Sequence, residues 1–180
     1  LAPMEATFPA KQDLKKGEDT GLRWAIRSLF SNPSQKGGEN ASGFIFVNNY
    51  ERLQNISTKK NVELEACGVK LPKLTIPAGC MAIFPVNVDG IKYATAQLVA
   101  KRDGKIYLMQ VKGIPTTIAM QNGKTLRNVK AKGAAAPIYR DVYLLTQQEA
   151  ELLFIPARGQ EDIGLGATCT KVKDAGPLRQ

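Results

Sequence analysis

Ala41-Ser42-Gly43-Phe44-Ile45-Phe46-Val47-Asn48-Asn49-Tyr50 is the stretch that decides the fold of this 180-residue chain. Phe44, Ile45, Phe46 and Val47 are aromatic or β-branched and uninterrupted by charge, which suits a strand covered on both faces. Gly43 opens the run and Asn48-Asn49 turn it away, so the expectation is a core strand.

Upstream, Leu22, Trp24, Ile26 and Ser28 alternate with Arg23, Ala25 and Arg27, the pattern of a half-buried strand with one basic face. Trp24 reads as a core anchor on that strand; the competing role is a sugar platform, because an aromatic ring stacks on the C–H face of a pyranose. Ser31 to Gly38 is rich in Asn, Pro, Ser and Gly and makes an exposed connection, while residues 1–20 carry no apolar period and read as an irregular lead-in.

Downstream, Val62, Leu64 and Ala66 alternate with Glu63, Glu65 and Cys67 as another half-exposed strand. Pro72 and Pro77 bracket Leu74-Thr75-Ile76, and since proline donates nothing to a ladder this piece reads as an edge or entry strand. Met81 to Phe84 is a buried run ended by Pro85. Asp89-Gly90 marks a turn, and Asp103-Gly104 between Ile91–Lys101 and Lys105–Val111 is the strongest hairpin signal of the chain. After Gly113-Ile114-Pro115, Thr116 to Met120 resumes, and Asn122-Gly123 turns into Thr125 to Val129; a strand from Ile138 to Leu145 follows. Turn signals thus recur about every ten residues from Gly43 to Gly133 with no helical stretch between them, the expectation for a mainly β chain, an antiparallel β-sandwich or partly open barrel.

Thr146-Gln147-Gln148-Glu149 is a capping box opening one short C-terminal helix, with Leu152, Leu153 and Phe154 on its apolar side and Pro156 as its stop. The expected organisation is a lead-in over 1–20, a β-sandwich domain or two small β units over 21–155, and a flexible tail or truncated linker over 156–180. Trp24, Phe44, Phe46, Ile83, Phe84, Tyr93, Tyr107 and Leu108 are the expected core.

Composition narrows the chemistry. With no histidine, Ser-His-Asp, Cys-His and His-rich metal sites are excluded together. Cys67, Cys80 and Cys169 match no metal spacing; buried thiols are the plain reading, with a Cys67–Cys80 disulfide as the alternative in an oxidising compartment. No apolar run reaches the ~18–20 residues of a membrane span, and the start at Leu1 shows no signal-peptide pattern, as a processed chain or a fragment would. The net charge of +9 is spread in short clusters, Lys59-Lys60 and Lys101-Arg102, and singly from Lys124 to Lys132, without interleaved aromatics, so it reads as a solvated surface and no nucleic-acid partner is expected. Gly164-Leu165-Gly166 lacks the flanking strand and helix of a phosphate loop, and no cofactor is expected. Among the 16 acidic residues, candidate carboxylate pairs such as Glu63 with Glu65 or Glu161 with Asp162 lie on polar strand faces or in flexible ends where nothing raises a pKa.

Ser42-Gly43-Phe44-Ile45-Phe46-Val47-Asn48-Asn49-Tyr50, then Leu74-Thr75-Ile76-Pro77-Ala78-Gly79, then Tyr93-Ala94-Thr95-Ala96-Gln97-Leu98 resemble, in this order, the β-rich region downstream of the catalytic barrel in β-galactosidases of glycoside hydrolase family 35. The resemblance runs from Leu22 to Phe154 and implies a non-catalytic accessory domain, because that family's acid/base and nucleophile glutamates come from the preceding barrel, which needs ~250 residues and is not in this sequence. It implies no catalytic residue here, a catalytic barrel of the same parent chain as partner, contact with β-galactoside-containing glycans, and a secreted or periplasmic location. Asn48, Asn49 and Tyr50 are the candidate contact with carbohydrate or barrel, since Asn side chains both donate and accept. The alternative function is a stand-alone carbohydrate-binding module.

Overall fold

The structure is a computed structural model, and it describes residues 5–7, 21–29 and 41–153. The chain runs through β1 (Glu5–Thr7), β2 (Arg23–Leu29) and β3 (Ser42–Asn49), then four short strands, β4 (Lys59–Val62), β5 (Glu65–Ala66), β6 (Val69–Lys70) and β7 (Leu74–Ile76). It continues with β8 (Cys80–Val88), β9 (Ile91–Ala94), β10 (Ala96–Arg102), β11 (Lys105–Gln110), β12 (Ile118–Met120), β13 (Thr125–Leu126), β14 (Val142–Leu145) and the helix α1 (Gln147–Leu153). A seven-stranded sheet has the order β1-β2-β3-β8-β9-β12-β13, and a three-stranded sheet has the order β10-β11-β14. The fold is mainly β and sandwich-like; among the described residues its sheets do not close into a barrel.

β3 lies inside the sheet, antiparallel to β2 on one side and to the middle strand β8 on the other. Opposed residues share a face, so the register sorts the sheet into two sides. Trp24, Val47 and Ala82 face inward with Ile26, Ile45 and Phe84; Arg23, Asn48 and Met81 face outward with Ala25, Phe46 and Ile83. β4 pairs with β7 and β5 with β6, and Leu64, Ala66, Val69, Leu71, Leu74 and Ile76 from this stretch cover the inner face. Each Leu, Val or Ile among them contributes roughly 1.5–3 kcal/mol on burial. A second cluster, built on Ile91, Ile106, Leu108, Ile118 and Leu144, fills the space beneath the smaller sheet.

β9 and β10 form one run that changes sheets at Thr95. That residue is fully buried and bonded on three sides: its N–H donates to Thr117 O (2.9 Å), its Oγ1 donates to Pro115 O (2.8 Å) and accepts the Thr117 N–H (2.8 Å). Positive φ at both Asp89 and Gly90, and at Asp103 and Gly104, makes the two-residue turns that match strand twist. α1 carries the capping box: Glu149 N–H donates to Thr146 Oγ1 (3.3 Å), and Thr146 N–H to Glu149 Oε2 (2.8 Å).

Several expectations are corrected. Phe44 and Phe46 are half-buried on the outer face, because β3 is covered on its inner face, where Gly43, Ile45, Val47 and Asn49 alternate with them. Ile83 shares that outer face and is 38% exposed; Trp24 and Tyr93 are half-buried against the core, while Phe84, Tyr107 and Leu108 are buried as expected. Glu5–Thr7, inside the stretch expected to be irregular, pair with β2 at the sheet edge. The strand expected over 138–145 is shortened to β14, since Arg140 takes φ 46° and Ile138 N–H turns back to Val142 O (2.8 Å). β14 lies parallel to β11, an exception to the antiparallel expectation. The tail at 156–180 lies outside the described residues.

Candidate functional site

Strand alternation separates the three residues expected to act together. Asn48 is half-buried on the outer face, Asn49 is 2% exposed on the inner face, and Tyr50 is exposed where the strand ends. The two N–H groups of Asn49 Nδ2 are shared among Ser57 O (3.0 Å), Ile76 O (3.2 Å) and Pro77 O (2.9 Å), so its amide ties the segment at Ser57 and the turn after Ile76 to β3. Asn48 Oδ1 accepts the Tyr50 N–H (2.8 Å), an Asx turn that ends the strand. Beyond it, Leu53 is 95% exposed at φ 62°.

On the outer face lies a pocket of about 410 Å³. Its floor is Phe46 with Met81 and Ile83, and its rim is Arg23 and Asn48 on one side and Gln97 of β10 on the other. Arg23 and Asn48 are directly opposed on β2 and β3, which places their Cβ atoms roughly 4.5–5.5 Å apart. Arg23 Nη2 donates to Glu51 Oε2 (2.6 Å), and Gln97 Oε1 accepts the Ile83 N–H (3.1 Å), capping a backbone donor where β8 has left β9. Sequence reasoning singled out Asn48 but missed the other lining residues, which come from four strands and share no local motif.

The described carboxylates are dispersed. Glu63 bridges Lys73 (3.1 Å) and Lys70 (3.4 Å), and these two ammonium groups, Lys73 foremost, hold its carboxyl below the usual glutamate range. That is opposite to the shift a general acid needs. Its expected pair, Glu65, is exposed, and Glu161 and Asp162 lie outside the described residues, as does Gly164-Leu165-Gly166. Among the described residues no three His, Cys, Asp or Glu side chains are grouped to hold a metal. Cys67 and Cys80 are free thiols, each pushed up by burial. The alternative reading, a disulfide between them, is ruled out by the register: Cys80 pairs with Asn49 at one end of β3, while Cys67 O accepts Asn87 Nδ2 (3.2 Å) at the Ser42 end, roughly 20 Å away along the strand. No described helix is long and apolar enough to cross a membrane.

The chain matches no family model, no curated protein and no solved structure.

Proposed function

We propose that this chain is a non-catalytic β accessory domain of a secreted or periplasmic glycoside hydrolase similar to β-galactosidase, seated against the parent's catalytic barrel through the corner that ends β3. The observation that carries the proposal is the exposed pair Tyr50 and Leu53, 47% and 95% accessible, on a turn tied to the scaffold through Asn48 and the Arg23–Glu51 ion pair. Leu53 holds a left-handed backbone that costs a non-glycine residue about 1–2 kcal/mol. A large apolar side chain presented on an unfavourable backbone suits a contact surface better than a solvent-facing loop. The described carboxylates are dispersed, with Glu51 and Glu63 ion-paired, which fits a supporting role with the β-galactoside chemistry supplied by the barrel.

An immunoblot of source cells with an antibody to this chain tests the proposal. A band exceeding 19.6 kDa by at least the mass of a barrel, roughly 250 residues, upholds it; a band at 19.6 kDa overturns it. In the parent, Tyr50→Ser with Leu53→Ser then lowers the melting temperature of the whole enzyme while leaving that of the isolated chain unchanged.

A further inference from the structure

We propose that the outer-face pocket binds a small amphipathic carboxylate, an aromatic or branched aliphatic acid, with its carboxylate at Arg23 and Asn48 and its apolar body across Phe46, Met81 and Ile83. This site stands independently of the accessory-domain reading, since it needs no residue from a barrel.

The donor and acceptor inventory of the rim selects the ligand. Tyr50 N–H can only donate, so the amide atom facing it is Asn48 Oδ1; by the same logic the atom facing Ile83 N–H is Gln97 Oε1. Each side-chain oxygen therefore already accepts one backbone N–H and keeps a second lone pair. Each amide also keeps its NH2 group, for which the described residues supply no partner. Arg23 gives one nitrogen to Glu51 and keeps further N–H groups of its five donors. The rim thus offers more side-chain donors, a guanidinium and two NH2 groups, than acceptors. A neutral sugar can pair with such a rim but gains no ion pair with Arg23. A carboxylate only accepts, and it matches a guanidinium beside an amide NH2 with charge-assisted bonds. Arg27, opposite Phe44 on the same face, adds a second positive charge nearby. Phe46 with Met81, 61% exposed, and Ile83 form an apolar floor that polar groups alone would not satisfy. At about 410 Å³ the pocket falls within the roughly 300–1,000 Å³ of small-molecule sites.

Trp24, the chain's one tryptophan, stands on β2 between the pocket residues Arg23 and Ala25 with its side chain on the inner face, and gives a readout of the strand that carries the rim. The probe is 3-phenylpropionate, titrated into the full chain with tryptophan fluorescence as the signal; 3-phenylpropionamide and methyl galactoside are the neutral controls. The expected result is a saturable change with the acid and binding about tenfold or more weaker for the amide. Asn48→Asp and Gln97→Glu each retain the oxygen that accepts the backbone N–H and replace the free NH2 with a carboxylate oxygen, so the melting temperature holds while affinity for the acid falls by about tenfold. Glu51→Gln frees Arg23 and tightens binding. No saturable change at millimolar acid, equal binding of acid and amide, or unchanged affinity in both isosteric variants overturns the proposal. Loss of the melting transition in one variant leaves the other and the ligand series to decide. None of these outcomes alters the size of the parent protein, so this site and the accessory-domain reading fail separately.

Discussion

Replacing Asn49 by alanine isolates the anchor that holds the end of β3. The lost Nδ2 serves three carbonyls. Its bond to Ile76 O lies in the interior, and a buried acceptor left unpaired costs about 1–3 kcal/mol. Ser57 O and Pro77 O are only partly buried, share what the two N–H groups leave over and can take water, so together they forfeit about 0.5–1.5 kcal/mol. Against this, Asn49 Oδ1 is buried with no partner, and deleting it recovers part of the loss. The net expectation is a destabilisation of about 2–4 kcal/mol. With a urea slope of about 2 kcal/mol per molar, the unfolding midpoint drops by about 1–2 M. Asn48→Ala is the internal control: it removes one exposed bond to Tyr50 N–H and costs under about 1 kcal/mol. Asn49→Asp is worse than Asn49→Ala, because it turns a carboxylate oxygen toward carbonyl oxygens. Urea titrations followed by circular dichroism measure all three. Equal midpoints for Asn49→Ala and Asn48→Ala would refute the assignment of Asn49 to the scaffold.

Gly43→Ala brings a methyl group to 2.6 Å from Arg27 O on the neighbouring strand, so β2 and β3 must part, at a cost of about 1–3 kcal/mol in thermal melts; an unchanged melting temperature contradicts the close approach. Cys67 and Cys80, with thiols held neutral by burial, react slowly with iodoacetamide at neutral pH and faster as pH rises, and folding stability falls as pH climbs through the thiol range because the unfolded chain releases the proton first; fast labelling of the folded protein is the opposing result. Glu63 has a lowered folded-state pKa, so its pairing with Lys73 and Lys70 favours the fold above the ordinary carboxylate range and is lost as pH falls through the lowered value; Lys73→Ala raises its NMR titration midpoint, and a midpoint that stays put counts against the pairing.

Turn chemistry was legible because it is local. Asp89-Gly90 and Asp103-Gly104 adopt the left-handed pair their residue types favour, and the reciprocal bonds of Thr146 and Glu149 follow from a four-residue spacing. The inward side of β3 was not legible: four consecutive apolar residues, Phe44 to Val47, carry no period of two, and only the layer from Leu64 to Ile76 settles which side is covered. Asn48 and Asn49 are identical side chains with opposite fates because alternation persists two residues past the apolar run. The parallel pairing of β14 with β11 and the pocket assembled from Arg23, Phe46, Met81 and Gln97 are long-range arrangements that spacing along the chain does not encode.

The single run of β9 and β10 passing through Thr95 gives both hydrophobic clusters a common spine, since Tyr93 packs against one while Ala94, Ala96 and Leu98 belong to the other. Peeling either sheet drags that spine out of register for its neighbour. The two halves therefore melt as one cooperative unit, and tryptophan fluorescence, which reports the Trp24 side, and tyrosine signals from Tyr107 and Tyr143, which stack 5.0 Å apart on the far side, trace the same denaturation curve.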